Sequence, residues 1–317
     1  MEGRCLMNHF ITKSEDITAD KLSRLLEQPI KIVQILKTGQ TNMGAFAHLI
    51  ADNRMLFIKW TRPDSYSSRK AQFNRREVWF SKLQEGLDIP TVKYFAALAN
   101  DEGASTIILD DLSSTHTQWT PNLPAWEQHC VDTLSALHSG FWNDPRLDEI
   151  KPNVDPETVG EWRIRMRHRV DGMFSELGLS DKAEMHDLIN QPLWEDYFDR
   201  VRKQPLTILH GDPHPRNFLY STSEAVLIDW ELVGVGVPAV EDLMHLIVFS
   251  CLQKHKELIE RYQRQTPYEE EQFEYDWRIA LCLSPLLATA FWANGMRGKR
   301  LTDAYESSLQ AKRLVLG

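Results

Sequence analysis

Cysteine is scarce in this chain. The four present in 317 residues (Cys5, Cys130, Cys251 and Cys282) form no CxxC and no short spacing, which excludes a zinc framework and a disulfide-stapled scaffold. They fit idle thiols in a reducing compartment. No internal repeat and no low-complexity run occurs, so solenoids and propellers drop out. Long apolar runs are missing too. The most apolar stretch, Leu281–Trp292, is interrupted by Ser284, Pro285 and Thr289 and is too short to span a bilayer. The opening MEGRCLMNHFITKSEDITAD carries acids and no apolar h-region, unlike a signal peptide. A cytoplasmic protein with no membrane partner is therefore expected. A basic excess is also lacking: 36 Lys+Arg against 45 Asp+Glu leave −9, which argues against a nucleic-acid partner and permits a cationic small molecule. What remains is ordinary globular composition, with length for about two domains.

The chain changes character near residue 112. Before it, IKIVQIL (30–36), AFAHLI (45–50) and MLFIKW (55–60) read as strands, the last two joined by the turn-forming ADNR as an antiparallel hairpin. Residues 68–85 read as a helix, with Ser67 or Ser68 as N-cap and Gly86 past its end. TVKYFAAL and STIILD follow as two more strands. After residue 121, apolar residues spaced by three or four predict helices over 124–140, 158–176, 181–202, 239–263, 270–294 and 302–315. The exception is 206–231, where LTILH, NFLY and AVLIDW are short runs of strand formers. The stretch LDDLSSTHTQWTPNLP, with polar residues and two prolines, reads as the linker.

The densest chemical signal is HGDPHPRN (210–217), followed by LIDWE, whose Asp229 comes twelve residues after Asn217. A hairpin of Phe218–Tyr220 and Val226–Ile228 folds Asp229 back alongside Asn217. Their oxygens then suit one hard cation, as Mg²⁺ prefers. Asp212, five residues before Asn217 on the same loop, could accept the proton of an attacking hydroxyl.

This constellation resembles the catalytic loop and metal-binding Asp of the protein-kinase-like superfamily. Its HGD form is similar to the aminoglycoside phosphotransferase/choline kinase branch rather than to the H-R-D of protein kinases. The resemblance runs from about Lys31 to about Ala293. It implies an α+β, bilobal protein-kinase-like fold: a small β-sheet-plus-helix nucleotide-binding lobe (1–111) and a larger, mainly helical catalytic and substrate-binding lobe (112–317). It implies ATP (or GTP) and Mg²⁺, with transfer of the γ-phosphoryl group to a small-molecule hydroxyl. Asp212 becomes the catalytic base, and Asn217 and Asp229 the magnesium ligands. His214 stands where protein kinases carry a phosphate-contacting lysine, Arg216, at a position where Gly is commoner, is a candidate phosphate contact, and His210 and Asp242 support the loop.

The first lobe carries the matching parts. Lys59, in FIKW, falls where the superfamily places the lysine that grips the α- and β-phosphates. Glu77 lies on the apolar stripe of the 68–85 helix, between Phe73 and Phe80, where a glutamate is costly unless paired. Lys59 is its natural partner, and a local pair with Arg76 or Lys82 is the alternative. GQTNMGAF (39–46) reads as G-x-T-x-x-G, so Gly39, Thr41, Asn42 and Gly44 form a candidate phosphate loop. The backbone around Asp110 and Leu112 would read the adenine edge, with the Asp110 and Asp111 side chains solvated.

Other residues leave two readings each. His138 is more readily a core histidine than a catalytic one. Glu231 reaches either the metal's surroundings or solvent. RIRMRHR (163–169) is either a solvated face or an anion clamp. Tyr262, Tyr268, Phe273, Tyr275, Trp277, Phe291 and Trp292, beside Glu269, Glu270, Glu271, Glu274 and Asp276, either box an ammonium group or form helix core with a solvated acidic face. A protein kinase is disfavoured by the HGD loop and the lack of an A-P-E segment. A catalytically silent nucleotide-binding protein is disfavoured by the full set of motif residues.

Overall fold

The computed structural model describes residues 10–41, 44–85, 87, 89–149, 159–203, 207–293 and 295–316; Cys5, Asn42 and Gly86 lie outside them. In chain order the elements are α1 (Ala19–Leu25), β1 (Val33–Gln40), β2 (Ala45–Ala51), β3 (Arg54–Trp60), α2 (Ser68–Leu83), β4 (Tyr94–Ala99), β5 (Ser105–Asp110) and β6 (Thr117–Gln118). There follow α3 (Trp126–Gly140), α4 (Val159–Leu177), α5 (Ala183–Ile189), α6 (Leu193–Lys203), β7 (Thr207–Leu209), β8 (Phe218–Tyr220), β9 (Ala225–Leu227) and β10 (Gly234–Gly236). The last are α7 (Met244–Ser250), α8 (His255–Gln265), α9 (Glu270–Ala293) and α10 (Gly298–Leu316). The chain divides into two compact units, one of Met1–Trp119 with Leu219–Val233, the other of Thr120–Phe218 with Gly234–Gly317.

The first unit is built on an antiparallel sheet in the order β1-β2-β3-β5-β4. Strand alternation sends Ala45, Ala47, Leu49, Leu56, Ile58 and Trp60 to one face, where they pack with Ile11, Ile17 and Leu22. Phe57, Ile107, Leu109, Tyr94 and Val226 cluster together separately. Strand β1 begins later than the apolar run suggests. Asp52 Oδ1 accepts hydrogen bonds from the Lys31 and Ile32 amides at 3.1 and 2.9 Å, which ties that end to the β2–β3 turn, and the ladder runs on to Gln40 opposite Ala45. Residues 219–233, expected in the C-terminal lobe, belong to this unit. Leu227 bonds to Pro90, and Trp230 stacks on Phe80 at 3.6 Å.

In the second unit, α3 buries Cys130, Leu134, Leu137 and His138 and packs on α8, while α9 lies against α4 and α10. Strands β7 and β10 pair antiparallel. Two expected helices are broken. The 181–202 stretch splits at Asn190–Pro192, because proline lacks an amide donor and crowds the preceding turn. The 239–263 stretch opens as a π-helical turn, Ala239–Leu243, and is cut again at Cys251. Among the described residues, no helix is long and apolar enough to cross a membrane.

Candidate active site

In the first unit, the alternation of β3 that buries Ile58 and Trp60 leaves Lys59 pointing the other way. Helix α2 starts where Ser67 accepts the Lys70 amide at 3.1 Å, an N-cap that satisfies one otherwise orphaned donor. Three turns on, Glu77 is fully buried. Lys59 Nζ lies 2.7 Å from Glu77 Oε2 and 3.1 Å from Asp229 Oδ1. Tyr94 donates its hydroxyl to Glu77 Oε1 at 3.2 Å. Glu231 pairs with the buried Lys70, Nζ to Oε1 at 2.7 Å.

Carboxylate oxygens of Glu77, Asp229 and Glu231 all lie within 4.8 Å of one another. Burial pushes the Glu77 carboxyl up to about 7, helped by Asp229 and Glu231 and opposed by Lys59. Burial alone would weaken the Lys59 charge, but the three carboxylates outweigh it and hold the lysine above its ordinary range. A dense set of oxygen donors is what a hard cation requires. Asp229 takes the left-handed conformation at φ 66°, and the turn after it is fixed by Trp230, whose Nε1 donates to Thr91 at 3.0 Å.

In the loop between β1 and β2, Thr41 N donates to the Gly44 carbonyl at 2.9 Å, and Gly44 N to Thr41 Oγ1 at 3.0 Å. Gly44 is needed for close approach, since a Cβ there would stand 2.7 Å from the Trp60 carbonyl. Gly39 pairs with Phe46 in the ladder. After β5, the Asp110 amide donates to Lys93 and the Asp111 amide to Met55, while the Leu112 carbonyl accepts from Thr115 and His116. Asp111 is not solvated. It is buried, with Oδ2 2.7 Å from His48 Nδ1.

In the second unit, β7 delivers His210, fully buried, and then Gly211 at φ 83°, a conformation glycine adopts without a Cβ clash. Buried Asp242 accepts the His210 and Gly211 amides at 2.6 and 2.9 Å and lies 3.3 Å from His138 Nε2. His138 is thus a core histidine, its other nitrogen 2.7 Å from Tyr262 Oη. Asn217 Nδ2 donates to the Asp212 carbonyl at 2.9 Å and to its Oδ2 at 3.1 Å. With its amide so used, Asn217 retains Oδ1 as the atom able to face a cation. Arg216 N donates to His214 Nδ1 at 3.2 Å, the imidazole is kept less basic than usual by burial, and the Arg216 side chain is exposed.

Two partners, His245 and Lys70, lie outside the sequence motifs. His245 Nε2 lies 3.7 Å from Asp212 Oδ1, yet nothing local marks it, since its position follows from how α7 is placed. Lys70 did leave a signal: a cation in the first turn of a helix is disfavoured by the dipole unless something else holds it. The basic run on α4 is also more than a solvated face. Arg163 bonds to the Ile189 and Gln191 carbonyls and to Glu195, and Arg167 to Asn190. Of the aromatics near the start of α9, Tyr262, Tyr268, Phe273 and Trp277 are buried core, and Asp276 is buried beneath them, bonded by the Tyr268 hydroxyl.

The model of the phosphotransferase enzyme family matches residues 45–278. The chain belongs to that family. No curated protein sequence matches it significantly. Among solved structures it is similar to a spectinomycin phosphotransferase in complex with ADP and spectinomycin (15% identity, 95% of each chain covered, TM-score 0.55). It is also similar to the ethanolamine kinase of Plasmodium vivax (11% identity, 88% of this chain and 82% of that one, TM-score 0.54). A third is the macrolide 2'-phosphotransferase of Brachybacterium faecium (16% identity, 92% and 97%, TM-score 0.51). These likenesses bear on the fold, a mixed α+β arrangement shared with small-molecule kinases. The family match makes this chain a phosphotransferase.

Proposed function

We propose that this phosphotransferase moves the γ-phosphoryl group of ATP to a hydroxyl of a small molecule, with Mg²⁺ bound. The observation that carries the reading is the loop carboxylate Asp212. Asn217 holds one of its oxygens, and Asp242 braces the backbone behind it. A carboxylate held this way, with its side chain 42% exposed, is suited to take the proton of the attacking hydroxyl. General-base help of this kind is typically worth 10²–10⁴-fold. Lys59, kept cationic and aimed by Glu77, neutralises phosphate oxygens, so that positioning and charge do most of the work of an in-line transfer. Asn217 and Asp229 are the residues we assign to Mg²⁺, which when bound supplies further charge neutralisation. The Thr41–Gly44 turn covers phosphates, and the backbone at Asp110 and Leu112 reads the base. ADP in the spectinomycin phosphotransferase supports the nucleotide assignment.

The test incubates the purified chain with Mg·ATP and a panel of sugars, amino-alcohols and aminocyclitols, following ADP release and phosphate-ester formation by phosphorus NMR. A phosphorylated hydroxyl compound, lost in Asp212→Asn, is the expected outcome. ADP release with no ester on any member would refute the reading.

A further inference from the structure

His245, beside Asp212, belongs to a cluster of three rings. His245 and Phe249 are four residues apart on α7 and share its face; Phe291 comes from the last turn of α9. Ring centroids are 5.4 Å apart for His245–Phe249, 5.8 Å for His245–Phe291 and 5.0 Å for Phe249–Phe291. Both phenylalanines are half-buried, so the cluster keeps ring surface open while His245 Nε2 sits 3.7 Å from Asp212 Oδ1. The reading of Asp212 as base puts the reacting hydroxyl within reach of that same carboxylate.

The charges near the wall decide what could rest on it. Among the described residues, Asp212 is the one carboxylate with an oxygen within 4.0 Å of a His245 ring nitrogen, and it already accepts from Asn217. The exposed acids of α9, Glu270, Glu271 and Glu274, belong to its opposite end. Seventeen residues separate Glu274 from Phe291, roughly 25 Å along a helix axis. A polycation needs a carboxylate for each buried ammonium, and among the described residues the two whose charges act on His245, Asp212 and Asp242, are already held by Asn217 and by the His210 and Gly211 amides. Phenylalanine faces are, besides, weaker cation binders than tryptophan. Aromatic walls with a few placed polar groups instead suit a ligand with one apolar face and a directed hydroxyl.

We infer that His245, Phe249 and Phe291 form the acceptor subsite beside Asp212, and that it takes a neutral ring compound, a sugar or glycoside laying its C–H face on the phenylalanines, in preference to ammonium or polycationic acceptors. This rests on the phosphotransfer reading above and names its substrate class. His245 acts as a positioning residue, limiting where the Asp212 carboxylate turns.

The experiment compares methyl and phenyl glycosides, choline, ethanolamine and a polycationic aminocyclitol as acceptors for the full chain. Neutral rings should give the highest kcat/KM. Phe249→Ala and Phe291→Ala should each raise acceptor KM roughly 2- to 10-fold, the range of a well-placed ring contact. Phe291→Leu keeps apolar volume without the ring, should the alanine variant fold poorly, and calorimetric nucleotide binding reports folding in each case. His245→Gln should lower kcat with a smaller change in acceptor KM. Asp212→Asn separates the two claims. If transfer survives there, the proposed reaction itself fails. If it stops there while ring variants leave acceptor KM unmoved, or choline or the polycation is preferred, or no neutral ring turns over, the subsite alone is overturned.

Discussion

The two units hold their carboxylates in opposite ways. In the first, Glu77, Asp229 and Glu231 crowd together and are neutralised by cations, Lys59 and Lys70. In the second, Asp212 and Asp242 are held by hydrogen-bond donors, backbone amides and an asparagine amide, with a histidine, not a lysine, beside each, His245 at 3.7 Å and His138 at 3.3 Å. The lesson is one of task. Cations that neutralise carboxylates can, by the same charge, receive phosphate oxygens. A carboxylate oriented by hydrogen-bond donors is held in place with lone pairs left over to receive a proton. Each arrangement predicts a different response to losing one oxygen pair.

Asp229→Ala should have the largest effect. It removes the charged oxygens from the set assigned to Mg²⁺ and releases Lys59 from one partner, so magnesium-dependent nucleotide binding should fall below detection by calorimetry while thermal unfolding stays cooperative. Unchanged Mg·ATP affinity would make Asp229 a structural residue. Asp212→Asn should spare nucleotide affinity and lower kcat by about 10²–10⁴, measured as ester formation on whichever acceptor is found. If the two variants lost the same step, the contrast between the units would collapse.

Two glutamates, Glu77 fully buried and Glu241 half-buried, sharpen the comparison. Glu77 has a cation at 2.7 Å, whereas Glu241, among the described residues, accepts from the Tyr197 hydroxyl at 3.2 Å and the Val237 amide at 3.4 Å. Burial, then the charge of Asp242, pushes the Glu241 carboxyl up to about 8 against those hydrogen bonds. A group whose folded pKa is raised stabilises fully below its unfolded value, near 4.5, and loses that contribution as pH rises through about 8. Denaturant unfolding at pH 5.5 and 8.5 should therefore show a decline in the parent chain. Glu241→Gln, which cannot ionise, should flatten it by up to a few kcal/mol. An equal decline in both proteins would show that Glu241 is not the titrating group.

Much of the first unit was legible because its physics is local. The period-2 pattern of Ala45–Ala51 and Arg54–Trp60 fixes which side chains are buried, and a glutamate on an apolar helical stripe asks for a cation. The assignment of β8 and β9 was not legible. They are strands of three residues each, and which sheet such short runs join depends on Trp230 finding Phe80, a contact 150 residues apart in sequence. His245 escaped for the same reason. The aromatic and acidic run of 262–277 showed the converse: its composition allows either a cation box or helix core, and burial makes Tyr262, Phe273 and Trp277 core. Composition cannot distinguish a wall from a core; packing does.

The finest break in the comparison is pairwise. Lys59 and Glu77 should be coupled, because a buried glutamate needs its cation and the lysine must be aimed rather than left in solvent. Removing either leaves the other uncompensated, and the double variant should be little worse than the worse single. Coupling between groups in one charged network is on the order of 0.5–3 kcal/mol. Arg75 and Asp101 form an ion pair of 2.6 Å on the same unit, but with side chains 50% and 94% exposed, where solvent screens the attraction and coupling is about 1 kcal/mol or less. Double-mutant cycles on both pairs, scored by kcat/KM for ATP in the first and by denaturant stability in both, should separate them. Additive losses at Lys59→Ala and Glu77→Ala would mean that the lysine is aimed by Asp229 alone. The charge-paired set of the first unit would then reduce to a single contact, held no differently from Asp212.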